Sequence, residues 1–327
     1  MEKEIIVGSA RASAPGRVKG MLKLGEAPDG SAIEAPVVIV RGSRDGPVLW
    51  LHGCVHGNEY CGAYIIHEFL RSLDPARLSG AVVALPVLNV TAFRSRQRMS
   101  PYEGYNGGDM NRQFPGSDAG TLTQHMAKQV FDPLVKYADV LIDLHTALTP
   151  DVRWALFARM PGEVGALSEK VARAFGYRDT LPAPDTILAG SALMEAARRG
   201  VASFLAECGG KNRSFTDESV ADAAARLGNV LRALGMSEGE VADYGPMNYF
   251  SNFAWVTATE GGLFRKAVSC GDAIRAGDVL GEYYDAYGNR RCEARSPRDG
   301  IVLAIHPGPV MASGETLVHI GLDPQPA

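Results

Sequence analysis

A histidine and a glutamate three residues apart, His56 and Glu59, stand shortly after an apolar run in this chain. Imidazole nitrogen and carboxylate oxygen are ligands that a zinc ion prefers when one position must stay open for water. Residues 47–51 are typical of a short buried strand, and the glycines that follow indicate a turn. Two ligands at such a turn can converge on one ion, so the pair predicts part of a metal site.

A third ligand is expected at the end of another strand. Residues 140–144 form an apolar run that leads to His145. Asp143 lies on the same face of that predicted strand, so its carboxylate could orient the imidazole of a ligand histidine. Two alternatives stay open: His145 is a buried histidine bonded to the backbone, and Asp143 is a simple salt-bridge partner.

A general base is expected near the same metal. Residues 201–206 form an apolar run that leads to Glu207 before a pair of glycines. Glu207 could take a proton from water and pass it to a leaving amine. Cys208 would face away from Glu207 along a strand, so we do not expect a cysteine nucleophile. We expect His52, at the end of a strand, to line the site or the core rather than bind metal.

Polar residues in a nearby loop predict a binding site for a carboxylate. Asn111 and Arg112 lie in a segment flanked by glycine and proline, and a planar guanidinium with an adjacent amide suits a carboxylate. Arg94, Arg96 and Arg98 alternate just upstream, and one of them could stabilise the oxyanion that forms on a scissile carbonyl. The alternative is a solvated turn with surface arginines.

The composition bounds the class of protein. The 327 residues are 46% hydrophobic and 21% charged, which is ordinary for a globular chain. A net charge of -4 gives no case for nucleic acid or an anionic membrane as partner, and no apolar run approaches the ~20 residues that span a bilayer. The cysteines are odd in number and form no Cys-x-x-Cys pair, so we expect no disulfide framework and a cytoplasmic location.

Apolar runs alternate with helical periodicity from about residue 47 to 235. This alternation is typical of an α/β domain with a mainly parallel mixed sheet flanked by helices, whose sites lie at the carboxyl ends of strands. We predict strands at 48–51, 81–87, 140–144, 154–158 and 201–206. We predict helices at 58–72, 119–137, 163–175, 191–199 and 217–234. The segments 5–7 and 37–40 are expected as strands added to the edge of the same sheet.

The last part of the chain contains an internal repeat. The pattern of residues 268–280 recurs at residues 305–317, with valine or isoleucine, glycine and leucine at matching places. Two such β units predict a smaller, all-β, barrel-sandwich-like domain. We therefore expect a catalytic domain at 1–240 and a β-rich domain at 241–327. Tyrosines of this part could reach the substrate pocket: Tyr244, Tyr249, Tyr283, Tyr284 and Tyr287.

Four motifs, in chain order, resemble those of the succinylglutamate desuccinylase/aspartoacylase family in the zinc carboxypeptidase-like superfamily. They are His56-Gly-Asn-Glu59, Asp109-Met-Asn111-Arg112, Asp143-Leu-His145 and Glu207-x-Gly-Gly. The resemblance covers residues 52–210, and the β-rich tail also looks like the C-terminal domain of that family. One departure is Asn89-Val90, where the family often has Asn-Pro; this concerns the local turn.

The resemblance implies roles for single residues. It implies one Zn²⁺ per chain, bound by His56, Glu59 and His145. It also implies that Glu207 is the catalytic base and that the pair at 111–112 holds the substrate carboxylate. Arg98 is the best match for the family's oxyanion arginine; Arg94 and Arg96 stay open, because the following loop varies in length.

The implied activity is that of a zinc-dependent amidohydrolase, which removes an acetyl or succinyl type of acyl group from a small N-acyl amino acid. Two alternatives remain: a zinc carboxypeptidase that acts on short peptides, and a catalytically inactive metal-binding protein. The expected partner is the small-molecule substrate, without nucleic acid or membrane. The acyl group, the amino acid and the oligomeric state, a homo-oligomer included, are left open.

Overall fold

The structure is a computed structural model that describes residues 4–148, 152–210 and 215–326. Its strands are β1 (Ile5–Val7), β2 (Ala10–Ala12), β3 (Gly16–Glu26), β4 (Ala32–Arg41), β5 (Arg44–Gly53), β6 (Ser79–Leu85), β7 (Val140–His145), β8 (Val152–Arg159), β9 (Asp179–Pro184), β10 (Ala202–Gly209), β11 (Asn248–Tyr249), β12 (Asn252–Thr257), β13 (Gly262–Lys266), β14 (Ala273–Ile274), β15 (Val279–Tyr284), β16 (Arg290–Arg295), β17 (Gly300–Ile305), β18 (Val310–Met311), β19 (Thr316–Leu322) and β20 (Gln325–Pro326). Its helices are α1 (Cys61–Ser72), α2 (Val90–Ser95), α3 (Tyr105–Gly108), α4 (Leu122–Tyr137), α5 (Gly162–Phe175), α6 (Ala192–Arg198) and α7 (Asp217–Ala233), with a 3-10 turn at Met110–Arg112.

A ten-stranded mixed sheet forms the centre of the molecule, in the order β20-β11-β9-β8-β10-β7-β5-β6-β4-β3. The strand β7 lies between β5 and β10 and runs parallel to both, while β8 is antiparallel to β10. The carboxyl ends of these three parallel strands therefore meet at one edge of the sheet. The predicted α/β class with a mixed sheet is confirmed.

Helices cover both faces of this sheet because its central strands are apolar on both sides. In β5, Leu49 and Leu51 pack into a core with α1, α5 and α7, whereas Trp50 packs with α4 and α6 on the other face. Each helix buries one apolar face; α4, for example, buries Met126 and Val130. The alternation along the strand thus separates two cores, one on each face of the sheet.

The N-terminal strands differ in part from the prediction. The segment at 37–40 lies in β4, which with β3 forms the edge of the large sheet. The prediction was wrong for residues 5–7, which form β1 and pair with β2 in a separate two-stranded sheet. The reason is a tight turn: Gly8 has a φ of +59°, and Val7 is already paired with Ala10. The backbone groups of β1 are therefore paired locally.

The last part of the chain is all-β, as predicted. Two four-stranded sheets, β12-β19-β17-β14 and β16-β15-β13-β18, enclose a core that includes Phe264, Leu280 and Leu317. By the repeat, β14 corresponds to β18 and β15 to β19. Each strand lies in the opposite sheet from its counterpart, as expected for quasi-symmetric halves. The boundary at 240/241 stays a prediction; beyond it, β11 and β20 pair within the ten-stranded sheet.

All five cysteines are free thiols, and Cys54, Cys61 and Cys208 are buried. Among the helices of the described ranges, none is long and apolar enough to cross a membrane.

Candidate active site

The connection between β5 and α1 and the end of β7 bring His56, Glu59 and His145 together. The first two lie in the connection between β5 and α1, and His145 is the last residue of β7, the neighbour of β5. All three side chains are buried, and one ligand atom from each lies within 4.8 Å of the others. The buried group therefore assembles at the edge where the carboxyl ends of the parallel strands meet.

The two imidazoles meet the carboxylate of Glu59 through their Nδ1 atoms. Nδ1 of His56 lies 3.0 Å from Oε1 of Glu59, and Nδ1 of His145 lies 3.0 Å from Oε2. The two Nδ1 atoms are 3.1 Å apart. The donor atoms of a tetrahedral zinc ion, with bonds of about 2.0–2.1 Å, lie roughly 3.3 Å apart. The spacing and the chemistry of the donors therefore fit a metal ion of this kind.

The second nitrogen of each imidazole faces an aspartate. Nε2 of His56 is 3.1 Å from Oδ1 of Asp109, and Nε2 of His145 is 3.0 Å from Oδ2 of Asp143. An N–H that donates to a carboxylate in this way leaves the Nδ1 lone pair directed at the centre and makes it more basic. Asp143 occupies the position expected from the sequence. Asp109 was part of a quoted motif, but its contact with His56 was not predicted.

Charges around the group determine its ionisation. Burial alone would raise the pKa of Glu59, but His56, His145 and Arg98 hold it well below its usual range. Burial would lower the pKa of His145, but Asp143 and Glu59 raise it well above the ordinary value. Burial likewise opposes ionisation of Asp109, whose pKa is nevertheless lowered by His56 and the arginines. The carboxylates of Glu59 and Asp109 are thus ionised and balanced by nearby positive groups, a role that a metal ion could share.

Arg98 is the arginine of its group that reaches the site. Its guanidinium donates to Oε1 of Glu59 at 2.7 Å and lies 3.9 Å from Asp109. Its carbonyl oxygen accepts from the backbone N–H of Gly57, at 3.2 Å, so the two loops are joined. Arg94 and Arg96 are exposed, and Arg96 borders a different cavity.

Asn111 and Arg112 lie beside the group on the 3-10 turn. Asn111 is buried, and its side-chain oxygen accepts from the backbone N–H of Ala192, at the start of α6. Its amide nitrogen is 3.4 Å from Nε2 of His145. The guanidinium of Arg112 donates to the carbonyl of Asn111 at 2.7 Å and borders the cavity next to the metal group. Both residues are therefore fixed where a carboxylate could be bound.

Glu207 lies on β10 in register with His145 on the neighbouring strand, and it borders the same cavity. Cys208 points to the opposite face and is buried in the core there, where burial raises the pKa of its thiol. His52 is fully buried, with its ring stacked on Phe114 at 6.4 Å between centroids, and burial lowers its pKa to about 4. It is a core residue and lies outside the His-Glu-His group.

A cavity of about 530 Å³ opens next to the His-Glu-His group. The β-rich part of the chain contributes Phe253, Trp255, Thr316 and His319 to its lining. These residues were not predicted. The five tyrosines considered from the sequence are absent from the described lining; Tyr283, for example, is buried in the tail core, and Tyr287 is 91% exposed. A sequence signal for the four lining residues is lacking, because their place depends on how two distant parts of the chain pack.

The fold and the site together define an α/β protein with a candidate metal centre at the carboxyl ends of its strands. A sequence model of the succinylglutamate desuccinylase/aspartoacylase catalytic domain matches residues 45–234. The match spans more than half of the chain, and the chain therefore belongs to this family. The family resemblance inferred from the four motifs is confirmed.

Known proteins are similar to this chain over most of its length. N-alpha-acetyl-L-2,4-diaminobutyric acid deacetylase of Halomonas elongata is 30% identical over 307 residues, which cover 89% of this chain and 87% of that protein. The product-bound ectoine utilization protein EutE (DoeB) of Ruegeria pomeroyi superposes with a TM-score of 0.83 at 25% identity, covering 98% of both chains. A succinylglutamate desuccinylase/aspartoacylase of Rhodobacter sphaeroides gives a TM-score of 0.81 at 27% identity, covering 95% of this chain and 96% of that one.

Proposed function

We propose that this protein is a zinc-dependent amidohydrolase that removes an acyl group from a small N-acyl amino acid. The observation that carries the proposal is the convergence, at one cavity, of the His56-Glu59-His145 group with Glu207, Arg98 and Arg112. The similar deacetylase of Halomonas elongata, whose name states an N-acetyl amino acid as substrate, supports the choice of reaction.

The metal would be held by the Nδ1 atoms of His56 and His145 and by the carboxylate of Glu59. When bound, zinc supplies Lewis-acid chemistry, which activates water and polarises an amide carbonyl. Asp109 and Asp143 hold the two imidazoles in the orientation that presents Nδ1.

The side chains around the metal group would divide the remaining tasks. Glu207 accepts the proton of the attacking water and passes it to the nitrogen that leaves. The guanidinium of Arg98 donates to the oxygen on which negative charge develops. Arg112, with Asn111 beside it, binds the carboxylate of the amino acid, which fixes the amide near Glu207. We propose that this takes place in the cytoplasm.

Activity on a panel of N-acetyl and N-succinyl amino acids, with unmodified dipeptides as the comparison, tests the proposal. We expect release of the free amino acid from the acylated substrates, loss of activity with a chelator, and recovery with one equivalent of zinc. Cleavage of dipeptides alone would make the protein a carboxypeptidase. Zinc binding without hydrolysis of either class would contradict the enzymatic function.

A further inference from the structure

On the face of the sheet that carries the metal group, the side chains change from polar to apolar across the neighbouring strands β7, β10 and β8. His145 on β7, Glu207 on β10 and Trp154 on β8 are direct neighbours in register. Two positions away along each strand, Asp143, Leu205 and Leu156 form a second row on the same face. Neighbouring strands are about 4.8 Å apart, so the apolar end begins roughly 10 Å from His145.

The apolar end of this face is part of the cavity. Trp154, Leu156 and Leu205 all border it. Two leucines from connecting segments, Leu148 and Leu188, complete the wall from the catalytic part of the chain. Glu207 therefore lies between the metal group on one side and a wall of leucine and tryptophan on the other.

The β-rich part of the chain closes the same end with aromatic rings. The rings of Trp154 and Phe253 are 5.8 Å apart, and those of Phe253 and Trp255 are 5.4 Å apart. The ring of His319 lies 5.7 Å from that of Trp255. Although Trp255 borders the cavity, 57% of it is exposed, which leaves room for contact with a bound molecule.

The arginine and carboxylate side chains of the described lining are concentrated at the metal end, and His319 is the titratable side chain of that lining among the aromatic rings. Arg98 pairs with Glu59, and Asp109 contacts His56. Glu207 is the side chain next to the reacting amide in the proposed reaction. A charged group on the substrate that entered the apolar end would lose its hydration against leucine and aromatic side chains. An uncharged chain would gain by leaving water there.

We propose that the cavity selects an N-acyl amino acid with an apolar chain of a few carbons, which packs against the wall formed by Leu156, Leu188, Leu205, Trp154 and Trp255. This inference rests on the proposed function and specifies its substrate class. The apolar chain of the substrate belongs either to the amino acid or to the acyl group, since both flank the amide that is cleaved. A single methylene in an apolar pocket changes kcat/KM by roughly 10–200-fold.

Pairs of substrates with equal shape and different charge test the proposal in the zinc-loaded protein. For the side chain, N-acetyl-L-norvaline is compared with N-acetyl-L-2,4-diaminobutyrate, in which a methyl group is replaced by an ammonium group. For the acyl group, N-(4-methylpentanoyl)glycine is compared with N-succinylglycine, in which an isopropyl group is replaced by a carboxylate. We expect kcat/KM to favour the uncharged member of at least one pair by tenfold or more. Equal or better hydrolysis of the charged member in both pairs would overturn the proposal.

Two variants test whether the preference for the uncharged substrate depends on the apolar wall of the cavity. Leu188 has a φ of +56°, a backbone conformation that asparagine tolerates well, so Leu188→Asn removes the apolar side chain without adding strain. Trp255→Ala removes an exposed ring. Both should reduce the preference within the favoured pair by about tenfold. The control is Tyr287→Ala, an exposed aromatic side chain of the same part of the chain, which should leave the preference unchanged.

Failure of the proposed function gives a different result. If neither pair is hydrolysed, the deacylase proposal fails, and calorimetric titration of the zinc-loaded protein with the same four compounds decides the selectivity. At least tenfold tighter binding of an uncharged member would support selection of apolar chains by the cavity, even though the protein does not hydrolyse these compounds. Equal or weaker binding of both uncharged members would overturn the cavity proposal as well.

Discussion

Each imidazole of the candidate metal centre is held by a carboxylate of its own. Asp109 directly precedes the 3-10 turn and Asp143 lies in β7, so the two ring orientations are fixed by different parts of the fold. Such partners typically change metal affinity by about 10–100-fold. Because Asp143 and His145 are neighbours on one strand face, their relation could be predicted from the sequence. The pairing of Asp109 with His56 could not, since it depends on the fold of a loop.

Glu207→Gln tests the role of the base at the residue scale. The substitution keeps the size of the side chain but removes its ability to accept a proton, so we expect kcat to fall by about 10²–10⁴-fold. Zinc content should remain at one ion per chain, because Glu207 is outside the His-Glu-His group. The measurements are steady-state kinetics and metal analysis, with Glu68→Gln on α1 as control. A rate close to that of the natural protein would remove Glu207 from the mechanism.

His52 provides a prediction on pH. Its pKa is about 4 in the folded protein, against an ordinary value of 6.5, because burial opposes the charged form. Below pH 6.5 the unfolded chain takes up a proton that the folded protein does not, so stability falls as the pH falls towards 4. Relative to His52→Gln, the natural chain should lose about 2 kcal/mol of unfolding free energy between pH 7 and pH 5.

Urea denaturation of both proteins at several pH values, with metal removed by a chelator, measures this difference. Parallel pH dependences for His52→Gln and the natural chain would contradict the buried, neutral state of the imidazole.

At the scale of elements, the site depends on the close approach of the β5–α1 connection to α2. A Cβ atom on Gly57 would lie 2.1 Å from the carbonyl carbon of Ala92 and 2.3 Å from the backbone nitrogen of Phe93. The same loop donates a hydrogen bond to the carbonyl of Arg98. Glycine at this position is therefore what allows His56 and Glu59 to reach His145.

Gly57→Ala should displace the loop from α2 and weaken zinc binding by about tenfold or more, since ligands must keep their geometry within a few tenths of an ångström. Competition with a chelating dye measures the affinity. Gly104→Ala is the matched control, because a Cβ atom there meets no atom within 4 Å. Unchanged affinity in Gly57→Ala would show that the contact with α2 does not position the ligands.

The elements with strong periodicity were predictable, and those determined by pairing partners were not. Leu122–Tyr137 and Gly162–Phe175 agree closely with the predicted helices because each carries one apolar stripe. The strand Asp179–Pro184 was missed, since it contains two prolines and its backbone is paired through β8 and β11. The separate pairing of β1 likewise depended on a turn that the apolar pattern does not encode.

At the scale of the whole molecule, one apolar cluster joins the catalytic part to the β-rich part. Trp154, Leu156 and Leu205 of the large sheet share this cluster with Phe250 and Leu303. The same contact places Phe253 and Trp255 at the cavity. The sequence predicted both parts but not their packing, because long-range contacts between two apolar surfaces leave no periodic signal.

The shared cluster predicts that the whole chain unfolds in a single transition. Leu303→Ala should lower the unfolding free energy by about 2–5 kcal/mol and move that one transition to lower temperature. Val310→Ala, at an exposed position, should change it by less than about 0.5 kcal/mol. Scanning calorimetry checks the number of transitions. Two transitions, of which Leu303→Ala moves only one, would show that the parts unfold independently.

The two copies of the repeat in the β-rich part share a core but differ in their contact with the cavity. Leu280 and Leu317 are matching positions and are both buried, so the copies share their core. Thr316 of the second copy and His319 just after it border the cavity, whereas Val279 and Glu282 stand at the equivalent positions in and just after the first copy. The exposed side chains of the first copy should therefore tolerate substitution. They could carry a fluorescent label or an affinity handle without contact with the substrate cavity.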